Sequence, residues 1–156
     1  MAQEIERKFL IKNDDWRANA DSGVEMVQGY LQSGEKSSIR VRLTGDKAWL
    51  NIKSATLSIS RSEYEYTIPL ADAKEILLSL CGQSLINKTR YHVDIGHHTW
   101  EVDVFAGDNL GLIVAEIELS AENEAFEMPA WAGEEVSHDA RYYNVCLAKQ
   151  PYKDWS

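Results

Sequence analysis

Pairs of like charges stand two residues apart along this chain: Glu4/Glu6, Arg40/Arg42, Glu63/Glu65, Lys88/Arg90, Glu101/Asp103 and Glu116/Glu118. On an extended backbone, residues i and i+2 lie on one face about 7 Å apart, so each pair repels itself. A face shaped only for solubility mixes its signs. Same-sign doublets make sense where something of opposite charge binds: divalent cations between carboxylates, phosphate oxygens between arginines and lysines. Acidic and basic doublets in one cavity therefore point to a metal–phosphate substrate. A triphosphate, with about four negative charges, would need several basic strands around it. Lys8 continues the first doublet at the same spacing, and Lys53 shares a strand face with Asn51 and Trp49.

The elements that must position these residues are strands. Period-two alternation predicts eight, at about 3–11, 26–32, 38–44, 47–54, 61–68, 87–95, 99–105 and 112–119. The face opposite the charges is apolar, with Ile5 and Phe9, Ile39 and Val41, Leu50 and Ile52, Tyr64 and Tyr66, and Trp100 and Val102. Arg7 breaks that rule and is expected to snorkel or to lie at an edge. Gly45-Asp46 carries two-residue hairpin chemistry with glycine first, as a type II′ turn requires. Gly96-His97-His98 and Gly107-Asp108-Asn109 read as further connections, so meander-like antiparallel connectivity is expected. Two helices are predicted. Asp72 and Glu75 resemble a capping box ahead of Ile76, Leu77 and Leu80, with Gly82 as the stop; the second helix spans 139–149, capped by Ser137 or Asp139. A short turn or helix at 121–126 ends before Pro129.

Eight antiparallel strands can close into a barrel wide enough for one small ligand. With the apolar face turned outward under the helices, the charged face becomes the lumen. Dry burial of so many charges is prohibitive, so that lumen must be wet and ready for a ligand. The expected architecture is mainly β with flanking helices: one domain over 1–156, an eight-stranded antiparallel β-barrel forming a charged tunnel or cup.

Composition narrows the function classes. The 156 residues hold 25 acids against 16 Lys and Arg, a net charge of −9, which argues against nonspecific nucleic-acid binding. The first residues lack the apolar stretch of a secretory leader, and no apolar run approaches the roughly 20 residues of a membrane span. A cytoplasmic location is expected. Cys81 and Cys146 match no metal spacing and are expected to be buried free thiols in apolar helical contexts. The P-loop pattern is absent, and no serine has the partners of a nucleophile. His92 is expected as a polar wall residue, Asp94 in a salt bridge at a strand end, and His97 and His98 in solvent. Trp16, Trp49, Trp131 and Trp155 are expected to pack or to sit at a rim. Arg61 is open between rim and lumen, and Arg141 between the cavity mouth and a plain ion pair.

The ordered set of these motifs resembles the CYTH superfamily, the triphosphate tunnel metalloenzymes. Glu4-x-Glu6-x-Lys8 resembles the family's N-terminal ExExK signature, and Gln28-Gly29-Tyr30-Leu31 its second strand. Arg40-x-Arg42, Lys53, Glu63-x-Glu65, Lys88-x-Arg90, Glu101-x-Asp103 and Glu116-x-Glu118 follow in family order, and Asp139-x-Arg141-Tyr142-Tyr143-Asn144 is similar to its C-terminal helix motif. The resemblance implies metal-dependent hydrolysis of a triphosphate, with the short bacterial tripolyphosphatases as the nearest pattern. Adenylyl cyclisation, thiamine or nucleoside triphosphate hydrolysis, and binding without turnover are the alternatives. Carried onto this chain, it implies Lys8, Arg40, Arg42, Lys53, Lys88, Arg90 and Arg141 on the substrate. It also implies Glu4, Glu6, Glu63, Glu65, Glu101, Asp103, Glu116 and Glu118 around one or two Mg²⁺ or Mn²⁺ ions. Glu4 and Glu6 are the acids whose loss should abolish activity, and the candidates to handle the attacking water are Lys8 or Lys53, with a lowered pKa, or a metal-held carboxylate. A small-molecule triphosphate is the one partner expected, with neither nucleic acid nor membrane; a homodimer is left open.

Overall fold

The computed structural model describes residues 3–82 and 84–155. The eight predicted strands are all present: β1 (Gln3–Ile11), β2 (Val24–Ser33), β3 (Ser37–Thr44), β4 (Lys47–Ser54), β5 (Ser60–Ile68), β6 (Ile86–Ile95), β7 (His98–Phe105) and β8 (Ile113–Glu118). Their order is β5-β4-β3-β2-β6-β7-β8-β1, every described pairing is antiparallel, and β1 returns to β5 to close the barrel; the expected meander therefore holds only within β2–β5 and β6–β8, with β2 paired to β6 and β1 to β8. Gly45 (φ 60°) and Gly96 (φ 61°) supply the left-handed first residues of the two tight hairpins. A ninth strand, β9 (Ala132–Glu135), also pairs with β1.

One edge of β1 is thus divided. Gln3, Glu4 and Ile5 pair with β5, whereas Phe9 and Ile11 pair with β9. Between the diverging strands the Lys8 amide donates to Ser137 Oγ, and the Tyr143 hydroxyl donates to the Ser137 carbonyl (2.8 Å) with the Ser58 carbonyl 3.2 Å away. Side chains thus join the backbone bonds from Val136 N to Lys8 O and from Glu6 N to Ile59 O in closing the seam.

The apolar faces turn outward as expected, under two covers. Helix α1 (Leu70–Ser79) lays Ala73 and Leu77 on Val41 and Ala48. Its start differs from the capping-box reading: Pro69 is the N-cap, with no side-chain cap, which leaves Asp72 in the first turn, where a carboxylate favours the helix dipole. The second cover joins Trp16, from a 3-10 turn over Asp15–Asn19, with Trp131 and Leu119 against Ile5, Phe9, Trp100 and Ile117. The second predicted helix is broken. A 3-10 turn (Ala140–Tyr142), capped by Asp139, precedes α2 (Asn144–Lys149).

Helix α2 does not cover the outside. Tyr30, Ile86, Phe105 and Val114 share the parity of the charged face, yet they form one buried cluster with Leu147 and Ala148 of α2. The lumen is therefore charged along part of its length and apolar at one end, where α2 fills it, making a cup. Arg7, on the outer face, pairs with Glu135 at 3.0 Å. Cys81 and Cys146 are free and half-buried, and Cys81 follows α1 instead of lying within it. His98 is not solvated, as it hydrogen-bonds Glu124, and Asp94 accepts from Thr99 Oγ1 (2.6 Å) and has no salt bridge among the described residues. Among the described residues, no helix is long and apolar enough to cross a membrane.

Candidate active site

Strand order sorts the doublets by sign. Going round the barrel, β7, β8, β1 and β5 bring Glu101, Glu116, Glu118, Glu4, Glu6, Glu63 and Glu65 side by side. The remaining arc carries Lys53 on β4, Arg40 and Arg42 on β3, and Lys88 and Arg90 on β6. An acidic wall thus faces a basic wall across a cavity of about 450 Å³, within the range of small-molecule sites. Register sharpens the acidic side. Glu6 stands opposite Glu118, and Glu116 opposite Glu101, arrangements that repel unless a cation lies between them. Glu6, Glu101 and Glu116 each offer a carboxylate oxygen, and those oxygens lie within 4.8 Å of one another. All-oxygen donors at that spacing fit a hard divalent ion such as Mg²⁺ or Mn²⁺.

Charge states in the wall are uneven. Burial, then the neighbouring Glu116, pushes the Glu6 carboxyl up to about 7. Glu4 is raised by burial and by its hydrogen bond to Glu63, and Glu118 by burial and by Glu4. Burial works against Glu116 too, but Lys8, Arg90 and Lys88 outweigh it and hold that carboxyl well below the usual range. Lys8 Nζ lies 2.9 Å from Glu116 and 3.2 Å from Glu6. These carboxylates overcome the effect of burial and keep its ammonium above the ordinary lysine value. Lys8 therefore lacks the lowered pKa expected of it. Lys53 has it: burial and then Arg40 bring its ammonium down to about 8, although Glu4 and Glu63 lie at 3.5 and 3.3 Å.

Three of the predicted site residues, Lys8, Asp103 and Arg141, fall outside the cavity wall. Asp103 is fully buried behind it, 2.8 Å from both Lys88 Nζ and Arg90 Nε, so it buttresses two cations. Arg141 is exposed at the surface, paired with Asp139 at 2.7 Å and stacked on Trp155. Arg61 is in the lumen, 3.6 Å from Glu4. His92 lines the wall, 3.6 Å from Glu101, and its ring contacts Asp21 at 3.1 Å. Lys8 lies at the stitched seam, over the Tyr143 ring (5.0 Å).

Charge as the marker passes over neutral residues, although strand parity already sets Asn51 and Trp49 on the face of Lys53. Asn51, fully buried, donates to Glu65 (2.7 Å) while its carbonyl faces Arg40 Nε at 3.4 Å, joining the walls. Gln28, Thr44, Trp49 and Asn144 also line the cavity. Strand parity could have placed Gln28 and Thr44 as well, since each shares a face with a lumen residue. Several buried polar atoms of this lining have no hydrogen-bond partner: Glu4 Oε1, Gln28 Nε2, Arg42 Nε, Thr44 Oγ1 and Asn144 Oδ1. Native interiors leave few such atoms, so their gathering here marks a place for a polar ligand.

Fold and site together define a class: closed antiparallel barrels whose lumen sets carboxylates against arginines and lysines. The CYTH domain matches residues 2–145, and the chain belongs to that family. It is 46% identical over 155 residues to an inorganic triphosphatase of Acetivibrio thermocellus, covering 99% of each chain. It is 37% identical over 150 residues to one of Nitrosomonas europaea, covering 93% of this chain and 96% of that protein. The crystal structure of an inorganic triphosphatase superposes with a TM-score of 0.67, at 34% identity and 95% coverage of both chains.

Proposed function

We propose that this chain is an inorganic triphosphatase that hydrolyses tripolyphosphate to pyrophosphate and orthophosphate with the help of a divalent metal. The observation that carries the proposal is the segregation of charge in the lumen. Strand order alone sets a continuous arc of carboxylates against an arc of cations across one small cavity. Arg40, Arg42, Lys88 and Arg90 would take phosphate oxygens, the arginines as forks and Lys88 as a point charge. Glu6, Glu101 and Glu116, with Glu4 and Glu118 beside them, would hold one or two Mg²⁺ or Mn²⁺ ions. When bound, such ions neutralise phosphate charge and polarise the P–O bond. Asp103 holds Lys88 and Arg90 in place, so their orientation is set before substrate arrives.

The reaction adds one water. Its oxygen bonds to a terminal phosphorus, the bridging P–O bond breaks, and pyrophosphate leaves. Positioning and charge neutralisation carry most of the rate in such a transfer. Lys53, brought to about 8 by burial and Arg40, can exchange a proton at Nζ near neutral pH and is the group assigned to the attacking water. Lys8, held cationic by Glu116 and Glu6, is assigned to charge balance within the acidic wall.

Phosphate release from tripolyphosphate, ATP and thiamine triphosphate, each with Mg²⁺ or Mn²⁺, tests the substrate. Tripolyphosphate turned over fastest is the expected result. Preferential turnover of a nucleotide or thiamine substrate would reassign it, and cyclic AMP with pyrophosphate from ATP would replace hydrolysis by cyclisation.

A further inference from the structure

Strand β2 lies between the two cationic strands β3 and β6, yet its lumen face carries no charge. Gln28 occupies the middle of that face. It stands opposite Arg42 on β3 and Ile86 on β6, two residue pairs along from Met26 opposite Lys88. The side chain is 1% exposed and lines the cavity, and its Nε2 has no hydrogen-bond partner. A buried amide donor left unpaired is costly, and barrels that need only filler at such a position take an apolar side chain. On the neighbouring strand Arg42 Nε and Thr44 Oγ1 are unpartnered as well. Lys88 and Arg90, by contrast, have Asp103. Unsatisfied donors thus gather on β2 and β3, where no carboxylate of the protein reaches Gln28 Nε2.

We propose that Gln28 is a substrate-binding residue whose side-chain amide donates to a phosphate oxygen of the triphosphate, bridging the cations of β3 and β6. This rests on the triphosphatase reading. A neutral donor suits the position. A lysine or arginine there would add a cation beside Arg42, Arg40 and Lys88, whereas an amide supplies a hydrogen bond without further repulsion. Gln28 then discriminates by direction: it reports whether an acceptor oxygen stands at that point of the wall, which a field of cations cannot do alone.

The test compares wild type with Gln28→Met, similar in length and without a donor, in steady-state kinetics on tripolyphosphate with Mg²⁺ and in melting of the ligand-free protein. Loss of a hydrogen bond to a charged acceptor should raise KM about ten- to a hundredfold. Melting should be unchanged or higher, because an unsatisfied donor has been removed. Gln28→Glu keeps the shape and sets a carboxylate against the phosphate, and should raise KM further. Unchanged KM in either variant overturns the proposal. So does a lower melting temperature of Gln28→Met with KM unmoved, the signature of a merely structural glutamine. A wild type that neither hydrolyses tripolyphosphate nor gains melting temperature from it contradicts the triphosphatase reading instead.

Discussion

Glu6 and Lys53 are the side chains whose charge the cavity leaves most open. Glu6, pushed up to about 7, carries a proton in the metal-free protein through much of the acid range, whereas the same carboxyl in the unfolded chain loses it near 4.5. The folded state therefore binds more protons across that window. Its contribution to stability is complete below 4.5 and is lost as pH rises through 7. A divalent ion demands the ionised form, so its binding must release the proton. The rise in melting temperature caused by Mg²⁺ should grow from pH 5.5 to 8, and Glu6→Gln should shrink it at every pH; calorimetry with and without chelator measures both. For Lys53 the folded value of about 8 predicts that kcat on tripolyphosphate climbs toward pH 8 as the amine becomes able to accept the water's proton. Lys53→Arg, always protonated, should flatten that climb and lower kcat by about a hundredfold or more, read from a pH–rate profile. The sequence displayed both residues but not their difference from Lys8. That difference comes from Glu116, 108 positions away in the chain and 2.9 Å away in space.

Strands were legible because one wet and one apolar face write a period of two, and Ile39-Arg40-Val41-Arg42-Leu43 shows it plainly. Strand β9, with only Ala132-Gly133-Glu134-Glu135, is too short to show a period and owes its conformation to pairing with β1. The α1 start misled because Asp72 and Glu75 have capping spacing, while Pro69 already fixes the entry to the helix. Packing of α1 also explains a glycine in the family-like second strand. A Cβ on Gly29 would lie 2.6 Å from Cys81 Sγ, 2.8 Å from Leu85 Cδ2 and 2.9 Å from Leu77 Cδ2. Gly29→Ala should therefore destabilise the fold by about 1–3 kcal/mol, as overpacked cores do. Denaturant titration measures that loss, and the surviving folded fraction should keep wild-type kcat, since Gly29 faces away from the lumen.

At the scale of the whole molecule, the net charge of −9 conceals a basic arc that only barrel closure assembles. Parity in the sequence sorted residues between faces, yet the order of strands round the barrel decides which doublets become neighbours. That order arises from long-range pairings, such as β2 with β6 and β1 with β8. The same limit hid the apolar end: Tyr30, Ile86, Phe105 and Val114 share the parity of the charged face, and only the docking of α2 shows why they are there. A ligand that binds only the folded barrel must stabilise it, and at a hundred times its Kd by about 2.7 kcal/mol. Tripolyphosphate with Mg²⁺ should accordingly raise the melting temperature by several degrees, provided hydrolysis is slow on the time of the scan. The central claim, that the two walls act together on a metal–triphosphate, is tested most directly by ³¹P NMR of tripolyphosphate incubated with the protein. With Mg²⁺, pyrophosphate and orthophosphate should accumulate in equal amounts, and a chelator should stop both. Unchanged tripolyphosphate with the metal present, or equal turnover without it, would contradict the account.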